Sequence, residues 1–336
     1  MLKKKILQNL DGSYVIENQK YRNGFLVAFF GTTELEGEVE TNIQRLRFRR
    51  ENSSLFKGKL FHYTTISGFK GIIDSAGFWA SDNRFMNDTE EVRHGSELIR
   101  KILQRREKNE KTEDFKYILR QVQENLPHPN ENTNLVACFS LVRDSLEQWR
   151  GYAPSGGICI GLSTEERADD VKPLIMMPQL SLYKVRYRYH AKLVHILSVI
   201  RRYREQYKLD RELVDRWPEY QDEEYVRYLS LELSNVSLLF KNEAFTSEQE
   251  VRYLIPLDKA DQFEGGLQFR ESSVGLIPYV NTGSYTGALK RLPISEVIVG
   301  PSPHQSLIAE SVKTFLEVKG YSQIDVKFSN VPFRSL

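Results

Sequence analysis

Short apolar runs rich in β-branched and aromatic residues recur along this chain, and the stretches between them are very unequal in length. The runs are Leu60–Thr65, Leu135–Leu141, Ile158–Leu162, Leu180–Tyr189, Val251–Pro256, Val274–Val280, Leu292–Val299 and Ile324–Phe328. Their composition is that of strands. No parallel βαβ alternation can be traced through intervals this irregular. The pattern therefore predicts an α+β chain with a mixed or antiparallel sheet core and inserted helices. Phe69, Ile72 and Ile73 recur at helical spacing, and Leu193, Ile196, Leu197 and Ile200 mark a second stripe. Two helices are expected over 91–126, separated by Lys108–Asp114, another from Glu223 towards Phe240, and a last one over Leu307–Leu316.

Residues 1–56 differ in character from the remainder of the chain. Tyr14–Ile16 and Phe25–Phe30 are strand-like, with Asp11-Gly12 and Asn23-Gly24 as turn signals, and Arg45, Arg47, Arg49 and Arg50 precede a polar linker. The expected organisation is an N-terminal β-rich extension over 1–56 and a main α+β domain, the one to carry any catalysis, over 57–336.

Of 336 residues, 47 are basic and 45 acidic, a net charge of +2. A balance this close does not imply nucleic-acid binding, so any such surface has to come from local patches. Two patches offer themselves: the alternating Lys184, Arg186 and Arg188, and the segment Arg201, Arg202, Arg204 and Lys208. Cys138 and Cys159 lie in apolar runs and read as small buried hydrophobes, not as a disulfide or a metal site. The basic start of the chain lacks the apolar segment of a secretory signal, and no apolar run approaches a bilayer span, which makes a cytoplasmic protein with no membrane association the expectation.

Two nucleotide motifs fail. Gly156 and Gly161 have the glycine spacing of a P-loop, but Leu162 and Ser163 stand where its Lys and Ser/Thr belong. No Gly-x-Gly-x-x-Gly follows a strand, which excludes a Rossmann site. Asn87 or Asp88 is placed to cap a helix whose first turn holds Glu90 and Glu91. The chemistry-bearing stretch is Phe245–Leu254, where Glu248 and Glu250 stand at the entrance to a strand. Extended backbone there would turn both carboxylates to one face. The bland alternative is a polar loop in which Glu250 pairs with Arg252 or a nearby lysine.

Several ordered blocks carry a resemblance: Phe61-His-Tyr-Thr, Phe85-Met-Asn-Asp-Thr-Glu, Cys138-Phe-Ser, Gln148-Trp-Arg-Gly-Tyr, Gly157-Ile-Cys-Ile-Gly, Lys241-x-x-x-Phe with Glu248-x-Glu-x-Arg, Ile298-Val-Gly-Pro and Ser329-x-x-Pro-Phe-Arg. Over about residues 59–336 the chain resembles a large bacterial family of domains of unknown function. The order of a strand-borne His62-Tyr63-Thr64, a helix, a short strand and a late Glu248-x-Glu250 is also similar to ADP-ribosyltransferases. That second resemblance implies an ADP-ribosyltransferase-like fold with NAD as substrate, and ADP-ribose transfer to a protein or nucleic acid, or NAD hydrolysis, in a toxin or phage-defence setting. Carried over, His62 binds the NAD ribose, Glu250 contacts the nicotinamide ribose and Glu248 orients the acceptor. Tyr63, Thr64, Trp149 and Tyr152 line the cofactor, one of the aromatics stacking on nicotinamide, and Arg84, Arg143 or Arg150 meets the pyrophosphate. The reading requires His62 and Glu250 to share one cleft. Its rivals are a non-catalytic nucleic-acid or nucleotide-binding module using the basic patches, and a metal-dependent nuclease using Asp88, Glu90, Glu248 and Glu250.

Overall fold

The structure is a computed structural model that describes residues 6–8, 14–16, 19–21, 58–86, 89–127, 133–153, 156–163, 181–213, 219–285 and 291–332. The strand expected over Phe25–Phe30, the arginines of 45–50, the Asn87/Asp88 cap and the side chain of Glu90 lie outside these residues. Near the N-terminus, β1 (Ile6–Gln8), β2 (Tyr14–Ile16) and β3 (Gln19–Tyr21) pair antiparallel in sequence order.

The chain divides into two compact units. One takes 1–53, 93–129 and 190–238, and the other takes 54–92, 130–189 and 239–336.

In the first unit the described elements beyond β3 are helices: α2 (Thr89–Asn109, from Arg93 on), α3 (Glu113–Asn125), α5 (Tyr189–Leu213) and α6 (Glu219–Ser237). Each turns an apolar stripe inward, as with Phe115, Ile118, Leu119 and Val122 on α3 and Tyr225, Leu229, Leu233 and Val236 on α6. Fully burying a side chain of this size stabilises by about 1.5–3 kcal/mol. The basic stretch of α5 is not a free cationic surface. Arg201 pairs with Glu205, Arg202 with Glu232, Arg204 with Glu110 and Lys208 with Glu212. Those acids neutralise one of the two patches on which a nucleic-acid reading leans.

The second unit is built on one mixed sheet, in keeping with the α+β expectation. Its centre is β4 (Lys59–Thr64), which pairs antiparallel with β7 (Ile158–Ser163) along its length and with β6 (Asn134–Ser140) only at Phe61 and Ser140. Outward from β7 come β12 (Ile294–Val299) and β13 (Val326–Phe328), the latter parallel to β12. On the other side of β6 lies β9 (Glu250–Pro256), followed by β8 (Ser181–Lys184). The start of β6 also pairs with β5 (Trp79–Asp82), which leads to β11 (Gly275–Asn281) and the terminal β10 (Gln268–Ser272). The strand expected to run to Tyr189 stops at Lys184. Residues 185–188 leave the ladder, with Arg186 making a single bridge to Phe240, and α5 begins at Tyr189.

Both faces of the sheet are covered. On one, α1 (Ile66–Ser75) and α7 (Gln305–Val318) lay Phe69, Ile72, Ile73, Val312 and Leu316 over Leu60, Phe139, Ile160, Val251 and Val299. Thr65 caps α1 by accepting from the Gly68 amide, and Ala76 closes it in the left-handed region at φ 48°. On the other face, α4 (Leu146–Tyr152) packs Trp149 against Phe61, Tyr63, Cys159 and Ile298.

Candidate functional site

The local backbone at the Glu248–Glu250 stretch is not extended. Residues 243–248 form a 3-10 turn capped by Asn242, and Gln249 takes a left-handed φ of 41° before β9 starts. A non-glycine residue there stores of the order of 1–2 kcal/mol of strain. This kink, not strand periodicity, brings the two carboxylates together. The Gln249 carbonyl accepts from the Leu141 amide, and the Glu248 carbonyl accepts from the Ser140 hydroxyl at 2.6 Å.

Lys241 is the hub. Its chain segment runs beside residues 185–187: the Arg186 amide donates to the Leu239 carbonyl at 2.7 Å, and the Lys241 amide donates to the Arg186 carbonyl at 3.2 Å. The Lys241 Nζ then reaches Glu248 Oε2 at 2.6 Å and Glu250 Oε2 at 3.3 Å. Arg252, two residues along the same face of β9, donates from Nε to Glu250 Oε1 at 2.8 Å and from Nη2 to Oε2 at 3.0 Å. The Tyr187 hydroxyl oxygen accepts from the Glu250 amide at 2.8 Å. Lys241 and Arg252 are 4% and 2% exposed. Two acids and two bases make the cluster formally neutral, as burial demands.

Burial alone would push the Glu250 pKa up. The charge and hydrogen bonds of Arg252, then the charge of Lys241, overturn that and hold it at about 2. Glu250 is a fixed anion at physiological pH and is no proton donor. Burial pushes the Tyr187 phenol up to about 12, so it stays protonated. Tyr152, at the end of α4, is 48% exposed, and burial of its hydroxyl, followed by the charge of Glu248, raises its pKa. Phe245 is also exposed and stands 4.9 Å from the Lys241 ammonium. Phe245 thus sits at the Lys241 ammonium, and Tyr152 is close enough to Glu248, the less buried carboxylate, to feel its charge.

His62 is not part of this group. In antiparallel pairing, facing residues share a side of the sheet. Glu250 faces Ser140 and Ser140 faces Phe61, so Phe61 and Glu250 share the α4 side. His62 projects to the opposite side, its ring 5.0 Å from Phe78 and 5.7 Å from Phe139. Its Nδ1 lies 3.0 Å from the Cys138 carbonyl, which can only accept, so Nδ1 carries the proton. The bond satisfies a carbonyl left open where β4 splays from β6. Burial holds the imidazole pKa below its ordinary value, so the ring is neutral. A link to Glu250 runs through Cys138, whose carbonyl meets His62 while its thiol hydrogen-bonds Glu250.

The other expected contacts separate as well. Trp149 is 0% exposed and donates from Nε1 to Asp144 at 2.7 Å, and Tyr63 is buried with its hydroxyl donated to the Val142 carbonyl. Both are wall residues of the core and offer no face for a ligand to stack on. Thr64 lies on the His62 side of β4's alternation with its burial intermediate, and Arg150 is exposed on α4. Arg84 is held by Asp82, and Arg143 by Glu296. Of the residues named from the sequence, the structure brings together Glu248, Glu250 and Tyr152. Lys241, Arg252 and Tyr187 complete the site, and the pairing of Glu250 with Arg252 and a nearby lysine is the bland alternative read from the sequence. For Lys241 and Arg252 the available signal is the spacing Lys241-x-x-x-Phe245-x-x-Glu248-x-Glu250-x-Arg252. For Tyr187 there is none. Among the described residues, no group of three His, Cys, Asp or Glu is placed to hold a metal ion, and no helix is long and apolar enough to cross a membrane.

Residues 148–253 match a domain family described as "Protein of unknown function (DUF2971)". The matched segment contains Tyr152, Lys241, Glu248, Glu250 and Arg252, and it leaves out His62. No curated protein and no solved structure matches the chain.

Proposed function

We propose that the Glu248–Lys241–Glu250–Arg252 cluster, with Tyr152 and Phe245 at its border, cleaves or transfers at the nicotinamide glycosidic bond of NAD. With His62 on the other face of the sheet, the ADP-ribosyltransferase arrangement read from the sequence is not met, and this reading rests on the carboxylates and Tyr152 alone. Breaking that bond builds positive charge on the ribose, and a fixed carboxylate stabilises it. The observation that carries the reading is a pair of carboxylates, one of them permanently ionised, beside an exposed tyrosine ring. Both oxygens of Glu250 are already held by Arg252 and Lys241. Glu248 is therefore the acid that meets the substrate, Glu250 is the anchor that fixes Lys241, and Tyr152 stacks on the nicotinamide or the base. The acceptor is a protein, a nucleic acid or water.

The occupied oxygens of Glu250 also favour a second reading, a non-catalytic nucleotide-binding module whose acids serve the fold. Incubation of the full chain with nicotinamide-labelled NAD separates the two. Turnover predicts released nicotinamide that Glu248→Gln and Tyr152→Ala abolish while their melting curves show them still folded. Saturable binding with no release, unchanged in Glu248→Gln, supports the module and removes the catalytic reading.

A further inference from the structure

The sheet of the second unit ends at β10, whose only ladder among the described residues is with β11. That ladder pairs Gln268 with Tyr279, Phe269 with Pro278, Arg270 with Ile277 and Glu271 with Leu276. Proline has no amide hydrogen, so Phe269–Pro278 is a pair of the non-hydrogen-bonded kind. The amide and carbonyl of Phe269, and by alternation those of Glu271, consequently point away from β11, to an edge that no described strand covers. Proteins protect such edges with charged side chains, lysine above all, with proline, with a bulge or by keeping the strand short, and β10 has the charges of Arg270 and Glu271 but neither proline nor bulge. β10 reads Gln-Phe-Arg-Glu-Ser, and its register is continuous. Exposed apolar side chains gather at the same place: Phe269 is 59% exposed and Leu276 63%, both on one face of the hairpin, with Val274 at its turn.

We propose that this edge is an interface with a second copy of the chain, β10 pairing antiparallel with its own counterpart about a two-fold axis at Phe269. The charges disfavour two neighbouring registers. An axis through Arg270 sets arginine against arginine, and one through Glu271 sets glutamate against glutamate. An axis through Phe269 sets the two phenylalanines opposite each other, Gln268 opposite Arg270 and Leu267 opposite Glu271. It also uses the free groups correctly, because the two Phe269 residues exchange both amide–carbonyl bonds. The sheet then continues through both copies, and the exposed phenylalanine is covered by its equivalent.

Sedimentation of the full chain over a concentration series tests the pairing. A reversible dimer is expected, and Phe269→Pro should make it monomeric while it stays folded, melting as the wild type does at concentrations too low for the dimer, because the lost amide hydrogen serves no bond to β11. The double variant Gln268→Cys, Arg270→Cys should form a disulfide-linked dimer on mild oxidation, since those two positions face each other across the axis. A wild-type monomer at every concentration, a dimer that survives Phe269→Pro, or cysteines that fail to cross-link would each overturn the proposal. None of these readouts depends on NAD turnover.

Discussion

His62 and Glu250 project from opposite faces of one sheet. Phe61 and Glu250 both stand level with Ser140, and the neighbour of Phe61 on β4 must point the other way. The condition that a shared NAD cleft sets on these two residues is not met. What remains on the α4 side is a charged cluster whose members come from the 239–241 segment, the 3-10 turn and β9.

The buried imidazole of His62 couples folding to pH. Because burial lowers its folded pKa below the ordinary value of 6.5, its contribution to stability is complete above that pH and is lost as pH falls through the folded value. His62→Gln should keep any activity of the cluster and flatten the loss of stability below neutral pH. Thermal melts of both proteins between acidic and neutral pH check this.

Glu250→Gln should be costly in stability terms. It leaves Arg252 and Lys241 buried with a neutral partner, and removing one side of a buried pair costs about 3–5 kcal/mol. The Glu250 pKa is depressed to about 2 from 4.5, so the stabilisation is present above the unfolded value and lost as pH falls through the folded one. The gap between variant and wild type in denaturant melts should be full at neutral pH and shrink below pH 4.5. This is why Glu248, not Glu250, is the position for a test of chemistry.

Gly157 lies where backbone meets backbone. A Cβ there would sit 2.3 Å from the Thr64 carbonyl oxygen and 2.5 Å from the Ala153 Cβ, and neither can swing away. Gly157→Ala should lower stability by about 1–3 kcal/mol, the usual cost of overpacking, measured by denaturant unfolding.

In the helical unit, Asp210 is buried without an ion-pair partner among the described residues. It accepts from the Gln206 amide at 2.6 Å and from the Tyr225 hydroxyl, and burial pushes its pKa up to about 6. A raised carboxyl pKa means stability is greatest below the unfolded value of 3.8 and falls as pH rises through 6. Asp210→Asn should therefore stabilise the protein at about pH 7.5, by about 3 kcal/mol at most, and lose that advantage near about pH 4. Paired melts at the two pH values measure the difference.

The strands around Leu60–Thr65, Leu135–Leu141 and Val251–Pro256 are legible because their side chains are β-branched or aromatic and buried on both sides of a covered sheet. The helix pair split near Lys108–Asp114 is legible for the same kind of reason, a 3.6-residue apolar stripe. The site is only half legible. Glu248 and Glu250 stand out as acids at a strand entrance, but a left-handed Gln249 has no signature in residue type, so extended backbone is the natural expectation. Strand phase decides that His62 and Glu250 part company, and phase comes from which residue of β4 pairs with Ser140, a long-range contact that no local pattern encodes. Tyr187 enters the site because β8 ends early, which its Leu180–Tyr189 composition does not announce.

The most direct measurement is nicotinamide release from labelled NAD by the wild type, Glu248→Gln, Tyr152→Ala and His62→Gln, each matched by a melting curve. The account predicts release by the wild type and His62→Gln, and none by folded Glu248→Gln or Tyr152→Ala. No release by the wild type with protein, nucleic acid or water as acceptor, or undiminished release by Glu248→Gln, would contradict it.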